Sequence, residues 1–343
     1  MAAMKDLRNQ IVCGDCVQIL QGEAEPFADL VFADPPFNIG YKYDQYHDRK
    51  KSAKYLAWTR DWIGACVRVL QPHGSFYIAI GDEYAAQIKL MAEDEFGLTL
   101  RNWIIWHYSF GQQTKAKFAR AHTHILYFVK DRKDFVFNDD VVRVISDRQK
   151  KYRDKRANPA GKMPDDVWNE YPRICGTFRE RTGFPCQMPE SLLARIIRVS
   201  SNEGDWVLDP FCGSGTTATV AHKLNRRYTS IDISETYAEA AKDRIADSEG
   251  LPVEGEGLPD WPEHADAELR WLYSENKISL RQLCSNPMLL SLFTRKLNNR
   301  LQKTQLYTPE EVQRRLGQLD KRGKLNPFGK TSGVPMGASS LEQ

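Results

Sequence analysis

The stretch VLDPFCGSGTT, residues 207–217, runs from a short apolar strand (Trp206-Val207-Leu208) through a glycine turn into a helical pattern over residues 218–224. Gly213 and Gly215 allow the backbone to approach a ligand closely at a helix N-terminus. Fourteen residues beyond Gly215 a second strand begins, Thr229-Ser230-Ile231, and ends in Asp232, a carboxylate placed to take the two hydroxyls of a ribose. Strand, glycine turn, helix and strand predict a doubly wound α/β sheet that handles its ligand at the strand ends. The G-x-G-x-x-G fingerprint is incomplete and no lysine follows as in a P-loop, so a nucleoside fits better than a dinucleotide or a triphosphate.

A second stretch, ADPPFNIGY at residues 33–41, also follows an apolar run, Leu30-Val31-Phe32, which the prolines end. Asp34, Pro35, Pro36 and Phe37 therefore project from a strand end. Such a tetrad suits chemistry on a flat amine. Asp34 accepts one N–H of an exocyclic amino group, the Pro35 carbonyl accepts the other, and Phe37 stacks on the base. Asp-Pro is also ordinary turn punctuation, so the tetrad by itself leaves a plain strand-ending turn open.

Taken together, the two motifs resemble those of the S-adenosylmethionine-dependent DNA amino-methyltransferases. DPPF resembles that family's catalytic motif and DPFCGSGTT its cofactor loop; with the catalytic motif first, the order resembles the β group, and the likeness covers residues 8–246. It implies a Rossmann-like class I methyltransferase sheet, circularly permuted. It also implies a methyl donor, S-adenosylmethionine, held by Asp209, Pro210, Phe211, Gly213, Gly215, Thr216 and Thr217, by Asp232 with Ile233, and by Asp15 with Cys16. FPCQMPE, residues 184–190, resembles a further cofactor motif in which Met188 replaces a lysine, leaving Gln187 and Pro189 as its carriers. Asp34 at the first tetrad position implies adenine N6 of double-stranded DNA as the target; cytosine N4 and RNA amines are the alternatives. No covalent intermediate is implied: Pro185-Cys186 lies inside the QMPE segment, not at a strand end beside the base site. No metal is implied either, because Cys175 and Cys186 do not complete a zinc knuckle with Cys13 and Cys16.

The strand ends also set an order. If Val207-Leu208 is the first strand of the cofactor half and Ile231 the second, Ile11-Val12 and residues 30–32 supply the third and fourth. Residues 54–70 place Leu56, Trp62, Ile63, Cys66, Val67 and Leu70 on one helical face; residues 71–74 (QPHG) end that helix before a strand at residues 75–80. Residues 41–51 read either as a loop that closes over the site or as plain surface. Residues 102–108 and 125–129 form a hairpin, on which Trp106 and Tyr108 are either base-stacking or core aromatics and His122 and His124 are structural.

Charge is informative only in its distribution. Net charge is +3, yet residues 101–200 hold 20 Lys and Arg against 11 Asp and Glu, residues 246–270 hold 8 acids and one base, and residues 271–330 hold 12 bases and 4 acids. Two basic blocks around an acidic joint point to a polyanionic partner. Residues 131–185 resemble a target-recognition segment, with Lys150, Lys151, Arg153, Lys155 and Arg156 facing phosphates and Arg179 or Arg181 facing bases. The expected domains are a methyltransferase domain (1–246), a linker (247–264), a small basic helical C-terminal domain (265–329) and a disordered tail (330–343). Thr308, Pro309 and Glu311 form an N-terminal cap in that helical domain, which suits either a helix-turn-helix-like DNA module or a dimerisation arm. Seven cysteines without a disulfide pattern and the lack of a membrane-length apolar run indicate a cytoplasmic protein. A homodimer and a restriction endonuclease partner both remain open.

Overall fold

The computed structural model describes residues 7–112, 115–144, 156, 158, 162–175, 178, 180–249, 253, 263–276, 278–301, 307–321 and 325. The chain divides into two compact units. One comprises Met1–Val144 and Met163–Glu256; the other comprises Ile145–Lys162 and Gly257–Gln343.

The first unit is built on strands β1 (Gln10–Cys13), β2 (Ala28–Ala33), β3 (Leu70–Ile80), β4 (Thr99–Gln112), β5 (Arg120–Val129), β6 (Val167–Trp168), β7 (Trp206–Asp209) and β8 (Arg227–Asp232). They form one sheet in the order β1-β8-β7-β2-β3-β5-β4-β6. Only the β3–β5 and β4–β5 pairings are antiparallel, so β5 alone runs against the rest. The four strands anticipated for the cofactor half are neighbours in the sheet, where those numbered first (β7), second (β8), third (β1) and fourth (β2) lie in the order third-second-first-fourth. The chain enters the sheet at its third strand and returns late to its first.

Period-two alternation sorts the strand residues into two cores. Val31, Ala33, Phe76, Ile78 and Phe128 pack on one face against α1 (Cys16–Gln21), α2 (Ser52–Val69) and α3 (Ala85–Asp94). Leu30, Phe32, Tyr77, Ala79 and Tyr127 pack on the other against α4 (Glu190–Ser200) and α5 (Thr216–Lys223). A third, small-residue cluster, Ala218, Ala238 and Ala241, joins α5 to α6 (Glu235–Asp247). Helix α2 buries Tyr55, Thr59, Trp62, Ile63, Cys66 and Val69, a stripe at helical spacing. Leu56 and Val67, expected on that face, are only partly buried against it.

One local expectation is corrected. Residues 71–74 do not form a turn between helix and strand: β3 starts at Leu70 and pairs at once with Ala28, and the register then jumps to Leu30 opposite Ser75. The four residues form a bulge, which suits a proline that cannot donate to a ladder.

The second unit contains α7 (Glu263–Asn276), α8 (Leu280–Cys284), α9 (Pro287–Leu301) and α10 (Pro309–Lys321) around Leu269, Leu272, Leu283, Phe293, Leu297, Val312 and Leu316. The foreseen cap of α10 is present: Glu311 N donates to Thr308 Oγ1 (3.2 Å) and Thr308 N to a Glu311 carboxylate oxygen (2.7 Å). The outward stripe of α9 carries Met288, Leu292, Arg295 and Lys296, all exposed. Most of the expected linker and the whole expected tail lie outside the described residues. Among the described residues no helix is long and apolar enough to cross a membrane.

Candidate active site

The carboxyl ends of β1, β2, β7 and β8 open into one cavity of about 850 Å³. Asp34, Pro35, Pro36 and Phe37 line it from β2, and Asp209, Pro210, Phe211, Gly213, Thr216 and Thr217 from the loop after β7. Asp232 and Ile233 line it from β8, Asp15 and Cys16 from the turn after β1, and Gln187 from the segment before α4. The sheet order thus gathers residues as far apart in sequence as Asp15 and Ile233.

Each stretch owes its shape to identifiable contacts. Gly213 and Gly215 have φ +52° and +74°. A Cβ on Gly215 would meet that of Ala241 in α6 at 2.6 Å, and one on Gly213 would meet the Phe184 ring at 2.8 Å. The turn therefore requires glycine on two grounds, conformation and space. Asp209 accepts from Phe211 N (2.9 Å), and the two oxygens of Asp232 accept from Gly213 N (2.8 Å) and Ser234 N (2.9 Å). Asp15 caps α1 by accepting from Gln18 N (3.1 Å). Cys16 is buried beside it, and desolvation, then the Asp15 charge, pushes its thiol up to about 12, so it stays protonated.

In the tetrad, Tyr55 Oη donates to the Pro36 carbonyl (2.8 Å). Among the described residues, neither the Pro35 carbonyl nor the Asp34 carboxylate receives a hydrogen bond. Burial, and secondarily the charge of Asp209, raises Asp34 to about 8. Burial raises Asp209 to about 7 and Asp232 above its ordinary value. The Phe37 ring lies against Gly81 at the end of β3, where an added Cβ would sit 3.4 Å from it.

Several contributors were not read from sequence. Asp48, 2% exposed, accepts from the backbone amides of Asn38 (2.7 Å), Ile39 (3.2 Å) and Tyr41 (2.9 Å). Asn38, at φ +60°, clasps Lys50 through both its amide oxygen and nitrogen. Ser234 Oγ donates to Asp44 (2.6 Å), tying residues 41–51 to the end of β8. Tyr41, Tyr43 and Tyr46 line the cavity, so this stretch is a structured cover and not plain surface. An acid seven to ten residues after a strand-end turn was the available signal, and it is too common to single out Asp48.

Other expectations divide. Trp106 is buried, donates from its indole to the Tyr171 carbonyl (2.8 Å) and still lines the cavity, as does the partly exposed Tyr108, so both pack on the core and face the site. Gly215 and Pro189 stand behind the wall and do not line it. Pro189 is the N-cap position of α4, and Gln187 spends its amide on Thr182 and the Glu180 carbonyl. Arg181 is exposed outside the cavity, and Arg156 is exposed within the second unit. Lys150, Lys151, Arg153, Lys155 and Arg179 lie outside the described residues.

A sheet with one reversed strand and a ligand cavity at the ends of four parallel strands is the frame of a class I methyltransferase, and comparison with known proteins agrees. The profile of the DNA methylase family, which covers N6 and N4 enzymes, matches residues 28–243, and the chain belongs to that family. It is 40% identical over 240 residues to the type II methyltransferase M.HpaI of Haemophilus parainfluenzae, covering 70% of this chain and 74% of that one. It is 37% identical over 243 residues to the DNA adenine methyltransferase YhdJ of Escherichia coli (strain K12), covering 68% and 82%. Its fold is shared with M1.HpyAVI, solved as a SAM complex, at a TM-score of 0.51 and 22% identity over 69% of this chain and 98% of that one.

Proposed function

We propose that this chain transfers a methyl group from S-adenosylmethionine to the N6 amino group of an adenine flipped out of duplex DNA. The observation that carries the reading is the pair of open acceptors at the end of β2, the Asp34 carboxylate and the Pro35 carbonyl, facing a cavity shared with the glycine loop. An exocyclic amine supplies two N–H donors to such a pair. The likeness to YhdJ, a DNA adenine methyltransferase, supports the choice of base.

The cavity suits the donor. Asp15, Asp34, Asp209 and Asp232 bring four carboxylates to one enclosure, two of them raised to about 8 and about 7 by burial, and such a site favours a cation. S-adenosylmethionine supplies an electrophilic methyl on a sulfonium, together with ribose hydroxyls and an amino group. In this reading Asp232, which retains lone pairs, takes the ribose and Asp15 the adenine amine of the donor; both line the cavity. Asp34 and Pro35 then draw on the two hydrogens of the target amine, which takes the nitrogen lone pair out of conjugation and turns it toward the methyl. Phe37, backed by Gly81, holds the flipped ring flat. Mass spectrometry of nucleosides from DNA treated with the purified chain should show N6-methyladenine; N4-methylcytosine alone, or label entering RNA alone, would overturn the reading.

DNA contact extends to the second unit in this reading. Residues 276–309 contain six Lys and Arg and no Asp or Glu, and Arg295 and Lys296 are exposed on α9. A chain truncated after Ser248 should bind DNA more weakly, with a shallower salt dependence by about one unit for each phosphate contact removed. Unchanged affinity and slope would remove this unit from the interface, and conversion of a dimer to a monomer would make it a dimerisation arm. Seven free thiols suit a reducing, cytoplasmic setting.

A further inference from the structure

We propose that Arg244 is a positioning residue for the donor-binding loop, held in register by Glu190 from behind the cavity wall. This rests on the assignment of residues 209–217 to the donor. Arg244 lies in the last turn of α6 and is not part of the cavity lining. Its Nη1 donates to the Ser214 carbonyl (3.0 Å) and to Thr216 Oγ1 (2.8 Å), while its Nη2 donates to Glu190 Oε1 (2.9 Å). Ser214 and Thr216 both line the cavity, and their hydroxyls are 2.9 Å apart.

Glu190 is the last residue of the QMPE segment and the first of α4. Only 2% exposed, it accepts from Lys223 Nζ at its other oxygen (2.8 Å). One carboxylate therefore fixes the guanidinium, and the guanidinium fixes the two residues on either side of Gly215. One turn earlier on α6, Ala241 supports Gly215 itself. Helix α6 thus sets the turn through a contact that excludes any side chain and a planar fork that reaches loop and carboxylate together. A lysine cannot reproduce that fork, because its ammonium is a single point on a flexible stem. The glutamate of QMPE consequently serves the cofactor loop without touching the cofactor.

The test uses the full chain, titrated calorimetrically with S-adenosylmethionine alone and then assayed for donor KM and kcat. Arg244→Met leaves Glu190 paired with Lys223 and should weaken donor binding by about tenfold or more, with the loss appearing in donor KM and not in DNA KM. Arg244→Lys should fall between that variant and the parent. Lys223→Met, which removes the other cation from Glu190, should lower Tm yet leave donor affinity within about twofold. A purely structural role would lower Tm in all three variants and leave the affinity of the folded fraction unchanged. Parental affinity in folded Arg244→Met, or an equal loss in Lys223→Met, would overturn the proposal. If Arg244→Met does not fold, parental affinity in Arg244→Lys would do so. Failure of the parent chain to bind the donor would instead overturn the assignment of the loop.

Discussion

Strands β2 and β7 lie side by side, with Leu30 opposite Val207 and Val31 opposite Leu208, and each ends in Asp-Pro. From that shared start the two ends diverge. After β2 come a second proline and Phe37, and the carboxylate of Asp34 meets no donor among the described residues. After β7 come Phe211, Cys212 and two glycines, and Asp209 accepts from the Phe211 amide of its own turn. The same acid thus plays two parts. Where prolines stiffen the exit and withdraw amides, the carboxylate is left without a donor among the described residues, as the proposed contact with an incoming amine requires. Where glycines let the chain fold back, the carboxylate builds the loop that others use.

The largest effect expected from this contrast is catalytic. Asp34→Ala should reduce methyl transfer by about 10³-fold or more while leaving donor affinity near the parental value, because its proposed partner is the target amine. Asp232→Ala should show the reverse pattern, weakening donor binding by on the order of 1.5–3 kcal/mol through lost hydrogen bonds to a charged acceptor. Single-turnover kinetics combined with calorimetry on the donor alone separates the two. If Asp34→Ala loses donor binding as severely as Asp232→Ala, the open carboxylate is a cofactor ligand and the contrast collapses.

The glycine exit can be stressed next. Gly215→Ala meets the Ala241 Cβ at 2.6 Å and sits at φ +74°, and the obstacle is the neighbouring helix. A loss of about 2–4 kcal/mol in stability is expected, with weaker donor binding in whatever folds. At Gly213 the obstacle is the edge of the Phe184 ring, which can rotate, so Gly213→Ala should cost less stability. Thermal denaturation of the two variants ranks them. Equal losses would mean that φ alone decides and that packing on α6 adds nothing.

What was legible in the sequence follows the same division. Strand ends carrying Asp-Pro or Gly-x-Gly announce themselves within a few residues, as those of β2 and β7 do, and the ends of β8 and β1 were read beside them from the acids Asp232 and Asp15. The bulge at residues 71–74 was not legible, since proline and glycine after a helix read as a turn until the register with β2 is known. Asp48 and Asn38 were hidden for another reason. Their worth lies in closing a thirteen-residue cover, residues 38–50, by accepting backbone amides across it, and nothing local marks them apart from any polar loop residue. Trp106 and Tyr108, two apart on β4, were undecidable between core and site because they share one face of the strand, and in the structure both pack on the core and line the cavity.

The smallest effect is also the most direct measure of how differently the two acids are held. Burial raises Asp34 to about 8, so the fold favours its neutral form. A carboxyl raised in this way contributes its full stability below the ordinary carboxylate range and loses it progressively as pH climbs toward about 8. Asparagine imitates the neutral acid and does not ionise. Asp34→Asn should therefore melt with the parent near pH 4 and several degrees above it near pH 8.5, the gap widening steadily in between. Burial raises Asp209 to about 7 even though the Thr217 hydroxyl and the Phe211 amide lower it, so the same linkage operates there. An asparagine at 209 keeps an acceptor for the Phe211 amide and can donate its N–H₂ to the Thr217 hydroxyl, but both bonds lose a charged acceptor, so Asp209→Asn should gain less than Asp34→Asn at pH 8.5. Thermal melts of both variants from pH 4 to 9 decide the matter. A pH-independent offset for Asp34→Asn would show that its carboxylate is solvated in the free protein, and a gain at Asp209 as large as at Asp34 would show that the two strand ends hold their acids alike.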